Sequence, residues 1–225
     1  MRNPFPGNPV FERFLGLKDY FRRYTTRESV RRTKEIAKLA RLISQTGDII
    51  SMDILGSVNF GMADDESDVD IVMYLACNHD EEITRKNTPM AVFYERLLLT
   101  TILHEITDRP YRIQVVDFIN LTRLAKAIEN QNYDDDVIAR FVFYRTICRG
   151  VNKRVIRPYE KMIMQNPELF KKIETKLTEA LLEFTRSYTH RRSFEKYLQR
   201  LETLEVSIPK SILEKVRDYL QVTWS

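Results

Sequence analysis

The hydrophobic and polar positions of the chain follow one pattern up to about residue 120 and a different pattern after it. Before that point, short β-branched apolar runs alternate with stretches of helical periodicity, and after it the periodicity is helical throughout. Such a division predicts an α+β module over residues 1–120, packed against an all-helical module over residues 121–225.

Three strands and two helices are predicted in the first module. The strands are Ile49–Leu55, Val69–Leu75 and Arg112–Ile119. The first helix runs from about Thr26 to Gln45, because Thr25 and Glu28 have the spacing of a capping box. A second helix begins at Thr88-Pro89 and ends near Ile106.

In the second module, no strand is expected after Asn120. The helical patterns there cover Leu121–Glu129, Asp134–Arg149, Glu160–Gln165, Glu168–Tyr188, Ser193–Glu205 and Lys210–Val222.

Membrane insertion and export are not expected. The longest nearly apolar run, Ala91–Ile106, is interrupted by charged residues, and the N-terminal residues contain no apolar stretch typical of a secretory signal. The two cysteines, Cys77 and Cys148, have no metal-binding spacing and set no disulfide framework. We therefore expect a cytoplasmic protein.

Charge is distributed unevenly along the chain, although the net charge is only +4. Residues 51–150 carry 17 Asp and Glu against 10 Lys and Arg, whereas residues 1–50 carry 5 against 11. An acidic centre between basic flanks is consistent with a cation site whose surroundings attract a polyanion, and equally with ordinary solvated surfaces.

The chemistry-bearing segment begins where the first predicted strand ends, at Gly56-Ser57. Glycine allows a sharp turn, and the free amides and the serine hydroxyl there can hold phosphate oxygens. After an acidic loop, Asp68 and Asp70 lie two residues apart at the start of the next strand, so both carboxylates project from one face. Two such carboxylates cannot both be buried and ionised without a cation, and next to a phosphate cradle they suit Mg²⁺ and a nucleoside triphosphate.

A third acid, Asp117, interrupts the apolar run of the third predicted strand. A carboxylate in such a run requires a partner, and an adjacent strand would bring it beside Asp68 and Asp70. There it could share the metal and accept the proton of an attacking hydroxyl.

This arrangement resembles the nucleotidyltransferase superfamily typified by DNA polymerase β. Its hallmark is a Gly-Ser turn, about ten further residues, an Asp-hydrophobic-Asp-hydrophobic strand and a third acid on a later strand. Here Gly56-Ser57 is followed by residues 58–67 and then by Asp68-Val69-Asp70-Ile71, with Asp117 as the third acid. The resemblance covers roughly residues 48–119 and implies a nucleotidyltransferase-like mixed sheet.

The resemblance also implies an activity: transfer of a nucleoside monophosphate, with ATP the expected donor, to a hydroxyl acceptor. Two Mg²⁺ ions would be held by Asp68, Asp70 and Asp117, while Gly56 and Ser57 would hold the terminal phosphates. The acceptor is left open between a protein side chain, a small hydroxylated molecule and an RNA end.

One position departs from the family pattern. Related minimal enzymes often carry Ala-Arg-Gly where this chain has Asn59-Phe60-Gly61, so the motif does not identify the basic contacts of a triphosphate. Two other functions stay open: an inactive module on the same fold that senses nucleotides or binds proteins, and a nucleic-acid-binding protein that uses the basic flanks.

Overall fold

A computed structural model describes residues 5–44, 49–76 and 88–221 of the chain. Within these ranges, ten helices surround a small mixed sheet of four strands, and most residues are helical. The predicted α+β class is confirmed at this level. None of the helices in these ranges combines the length and apolar character that crossing a membrane requires.

Elements up to residue 120 form the sheet and the helices nearest to it. They are α1 (Pro9–Arg22), α2 (Arg27–Ile43), β1 (Ile49–Ile54), α3 (Gly56–Phe60), β2 (Val69–Leu75), α4 (Thr88–Glu105) and β3 (Ile113–Asn120). The following elements are α5 (Leu121–Glu129), α6 (Asp136–Ile147), β4 (Arg149–Gly150), α7 (Lys153–Met164), α8 (Pro167–Arg186), α9 (Tyr188–Thr203) and α10 (Lys210–Gln221).

The sheet has the strand order β3-β2-β1-β4. β1 is antiparallel to both β2 and β4, whereas β2 and β3 are parallel and connected through α4. The ladder between β2 and β3 is irregular between Ile71 and Val72. This irregularity shifts the later pairings by one residue, so that Asp117 lies beside Val72 and not beside Met73.

The two faces of the sheet contribute to separate hydrophobic clusters. Alternate residues of β2, such as Ile71 and Met73, pack in the cluster that contains residues of α2 and α4. The intervening Val72 and Tyr74 belong to a larger cluster with residues of α1, α5, α6, α8 and α9. The alternation follows from the two-residue period of a strand.

Besides the short helix α3, two elements were not predicted from the sequence. Helix α1 begins at Pro9 and is capped by Asn8, whose side chain accepts hydrogen bonds from the amides of Val10 and Phe11. Its buried face packs against α8 and α10. The two-residue strand β4 contradicts the expectation that no strand follows Asn120, and it ends the predicted helix Asp134–Arg149 early. A strand this short has no detectable periodicity, so only its pairing with Asp53 and Ile54 reveals it.

The predicted domain boundary at residue 120 stays a prediction. α1 lies in the first predicted domain, yet Phe14 and Phe21 share one hydrophobic cluster with Leu177 and Phe194 of the second. β4 likewise belongs to the second predicted domain but extends the sheet of the first. The two parts are therefore packed through a common core.

Candidate active site

The turn after β1 brings Gly56 against the carboxylate of Asp70. Gly56 has a φ of +60°, and a β-carbon at this position would overlap Oδ2 of Asp70. The amide of Leu55 donates to the carbonyl of Asp70 over 2.8 Å, which fixes the end of β1 to the start of β2. Glycine is needed here for both its positive φ and its missing side chain.

Short helix α3 continues from this turn and ends at Gly61, whose φ is +80°. Two hydrogen bonds join this end to the start of α2: the amide of Thr26 donates to Gly61, and its hydroxyl donates to Ala63 over 2.6 Å. Thr26 also caps α2 by accepting from the amide of Ser29, so it, and not the expected Thr25, is the capping residue. The turn that carries Ser57 is thus attached to a long helix.

The acidic loop between α3 and β2 is held by a buried arginine. Arg32 of α2 is only 1% exposed, and its guanidinium donates to the carbonyls of Asp65 and Ser67. Within the loop, Ser67 donates to a carboxylate oxygen of Asp64 over 2.5 Å. These bonds hold the loop through its backbone and leave Asp68 facing the cavity described next.

A cavity of about 330 Å³ lies at this end of the sheet. Gly56, Ser57, Asp68 and Asp70 all line it, so the structure brings four of the five predicted site residues together. Asp68 and Asp70 are half-buried. The volume is within the usual range for small-molecule sites in proteins.

Asp117, the fifth predicted residue, does not line this cavity. It lies on the strand next to β2, as expected, but it pairs with Val72 and not with Asp70. Both of its carboxylate oxygens accept hydrogen bonds from Arg140, over 2.6 and 2.9 Å, and the side chain is 9% exposed. We expected Asp117 beside Asp68 and Asp70, and the structure corrects this position: Asp117 lies beside Val72 and binds Arg140. The metal-binding role of Asp117 stays a prediction.

The β3 residue beside Asp70 is Gln114. It lines the cavity together with Asp68 and Asp70. The cause is the register of the two strands: a ladder continued regularly from Asp70 and Gln114 would pair Asp117 with Met73, and the irregularity between Ile71 and Val72 brings Asp117 only one residue nearer, to Val72. A neutral carboxamide therefore lies where a third carboxylate was expected. Among the residues that the structure describes, no three His, Cys, Asp or Glu side chains are grouped to hold a metal.

Helix α9 forms a wall of the cavity that sequence reasoning missed. The wall consists of Ser193, Lys196, Tyr197 and Arg200. Their spacing of three, four and seven residues places them on one helix face, which is a signal that the sequence does contain. Nothing in the sequence, however, shows that this face returns to the end of β2.

Ion pairing connects the α9 wall to the acidic loop. Arg200 forms an ion pair with the carboxylate of Asp64. Burial alone would raise the pKa of Asp64, but the hydrogen bonds of Ser67 and the charge of Arg200 lower it below its usual value. Tyr197 is buried, and burial raises the pKa of its hydroxyl.

Comparison of the chain with protein-family models, curated proteins and solved structures gives no match. The likeness to nucleotidyltransferases therefore depends on the sequence motif, which consists of the Gly56-Ser57 turn, the Asp68–Asp70 pair and the third acid, Asp117.

Proposed function

We propose that this protein is a divalent-cation-dependent nucleotidyltransferase. The observation that carries the proposal is that Gly56, Ser57, Asp68 and Asp70 line one cavity. These residues lie up to 14 positions apart in the chain: Gly56 and Ser57 begin α3, Asp68 directly precedes β2, and Asp70 belongs to β2. A cavity with a backbone turn, a hydroxyl and two carboxylates suits a triphosphate and its cation.

The residues of the cavity fit a magnesium ion by their chemistry. Asp68 and Asp70 supply the hard oxygen ligands that Mg²⁺ prefers, and Gln114, whose side chain also carries an oxygen, lines the same cavity. When bound, the ion would neutralise the two carboxylates and withdraw charge from the phosphates. The second ion implied by the family resemblance stays a prediction.

The remaining roles belong to the side chains and the backbone. Gly56 allows the close approach of Asp70, and Ser57 offers a hydroxyl to phosphate oxygens from the same turn. The reaction requires in-line attack of an acceptor oxygen on the α-phosphorus, and the proton of the acceptor hydroxyl passes to a carboxylate or to water. The bond to the bridging oxygen then breaks, and pyrophosphate leaves. The acceptor can be a protein, a small hydroxylated molecule or an RNA end.

A nucleotide-sensing module is the second candidate function, and Gln114 favours it. The carboxamide of Gln114 cannot accept the proton of an acceptor hydroxyl, whereas a carboxylate at that position could. Binding of a cation and a nucleotide needs only Asp68, Asp70 and the turn. A site of this kind can therefore bind nucleotide without transferring it.

The test uses purified protein, cell extract and Mg²⁺ with labelled ATP, CTP, GTP and UTP in turn. If the protein transfers a nucleotide, one component of the extract should become labelled. Asp68→Asn and Asp70→Asn should each abolish this labelling. Asp65→Asn is the matched control, because Asp65 is an exposed acid of the same loop that does not line the cavity. Full labelling by both cavity variants refutes the proposal, and nucleotide binding without labelling favours the sensing module.

A further inference from the structure

We infer that Lys196 of α9 binds the terminal phosphates of the nucleotide. The inference rests on the proposed function, because it assigns a contact within the same cavity. Lys196 lines the cavity together with Gly56, Ser57, Asp68 and Asp70, although it comes from the other end of the chain.

The charges that line the cavity identify Lys196 as its available cation. Asp64 and Arg200 form an ion pair with each other. Asp68 and Asp70 are the residues proposed to hold a divalent ion, and Glu66 is exposed. Within the described parts of the chain, no hydrogen bond or ion pair engages the exposed ammonium of Lys196. A polyanion entering the cavity therefore meets this charge without breaking an existing pair.

Aromatic packing fixes α9 relative to the turn that carries Ser57. Phe60, the last residue of α3, packs against Phe194 and Tyr197, with ring centroids 5.3 and 5.4 Å away. Lys196 lies between these two anchors in the sequence of α9. The short helix that begins at the Gly56-Ser57 turn and the helix that carries Lys196 are thus held together by buried rings, while the flexible lysine stem can follow the phosphates.

The charge of Lys196 supplies the basic contact of the triphosphate, which the sequence motif does not identify. The chain has Phe60 where related enzymes often carry an arginine, and Phe60 is buried against α9. A helix from the second half of the chain here supplies a positive charge to the cavity. Its ligand is a triphosphate group, whichever base the nucleotide carries.

Calorimetric titration of the full chain in the presence of Mg²⁺ tests the inference with three probes: ATP, inorganic tripolyphosphate and AMP. Lys196→Gln should weaken the binding of ATP and of tripolyphosphate about tenfold. This is the size of effect expected for one charge-assisted hydrogen bond at a solvated site. Binding of AMP, which lacks the terminal phosphates, should change less than about twofold. Lys196→Arg should restore most of the affinity.

Lys171→Gln is the matched control, because it removes the same charge from an exposed position of α8 outside the cavity. The inference is overturned and the proposed function stands if Lys196→Gln binds all three probes with wild-type affinity while Asp70→Asn no longer binds ATP. Equal weakening of all three probes also overturns it. If the wild type binds neither ATP nor tripolyphosphate, the proposed function fails together with the inference.

Discussion

The carboxylate of Asp70 lies against the backbone of Gly56, so closely that a β-carbon at Gly56 would overlap Oδ2 of Asp70. Gly56 also has a φ of +60°, which side chains other than glycine rarely adopt. The turn and the acid are therefore one unit: Asp70 keeps its position only while residue 56 has no side chain.

Gly56→Ala should both destabilise the protein and reduce nucleotide binding. The positive φ and the overlap together should lower the free energy of unfolding by about 2–3 kcal/mol. Denaturant unfolding measures this change. Gly16→Ala is the control, since a β-carbon at Gly16 meets no atom and the residue lies inside α1, where alanine should stabilise by up to about 1 kcal/mol. Equal effects of the two substitutions would contradict the proposed role of Gly56.

Gln114→Asp should tighten the binding of divalent cations. The substitution adds a carboxylate beside Asp70, where the structure has a neutral side chain. A third carboxylate should increase Mn²⁺ affinity about tenfold, and it should increase any nucleotide transfer as well. Gln114→Asn keeps the neutral amide and serves as the control. Unchanged Mn²⁺ affinity in Gln114→Asp would show that this position does not face the cation.

Asp117→Asn should act on stability and not on the cavity. Its carboxylate is nearly buried and accepts two hydrogen bonds from Arg140, so removing its charge disrupts a largely buried ion pair and should cost about 3 kcal/mol of unfolding free energy. Asp136→Asn removes an acid from the exposed ion pair with Lys176 and should change stability by less than about 1 kcal/mol. A large loss of Mn²⁺ affinity in a folded Asp117→Asn variant would instead support the metal-binding role predicted from the sequence.

Stability should fall with pH below neutrality because of His190. Its ring is buried among Phe184, Phe194 and Tyr219, and burial lowers its pKa from 6.5 to about 3. Between these two values the unfolded chain binds a proton that the folded chain does not, so acid favours unfolding. The expected loss between pH 7 and pH 5 is about 2 kcal/mol from this residue.

The measurement is the free energy of unfolding at pH 7 and pH 5 for the wild type and for His190→Gln. The variant should lose less stability over this range, whatever its absolute stability. His104→Gln is the control: it changes an exposed histidine of α4, and the difference in unfolding free energy between pH 7 and pH 5 should be the same as in the wild type. A His190→Gln variant with the full wild-type pH dependence would contradict the assignment.

Much of the local structure could be predicted from the sequence. The three main strands and the helices α2, α5, α8 and α10 are found near their expected positions, because strand and helix periods extend over enough residues to be recognised. Helix α1 was missed although Phe11, Phe14, Leu17 and Phe21 have helical spacing. Strand β4 could not be seen, because two residues define no period.

By itself, the sequence determined the α+β class, the Gly56-Ser57 turn and the nearness of Asp68 and Asp70 to each other, since each depends on residues close together in the chain. The tertiary structure alone decided that Gln114 lies beside Asp70, that Asp117 binds Arg140 and that Lys196 and Arg200 reach the cavity. The physical reason is that these positions depend on the register between two strands and on the packing of aromatic rings from distant helices. Neither leaves a local pattern in the chain.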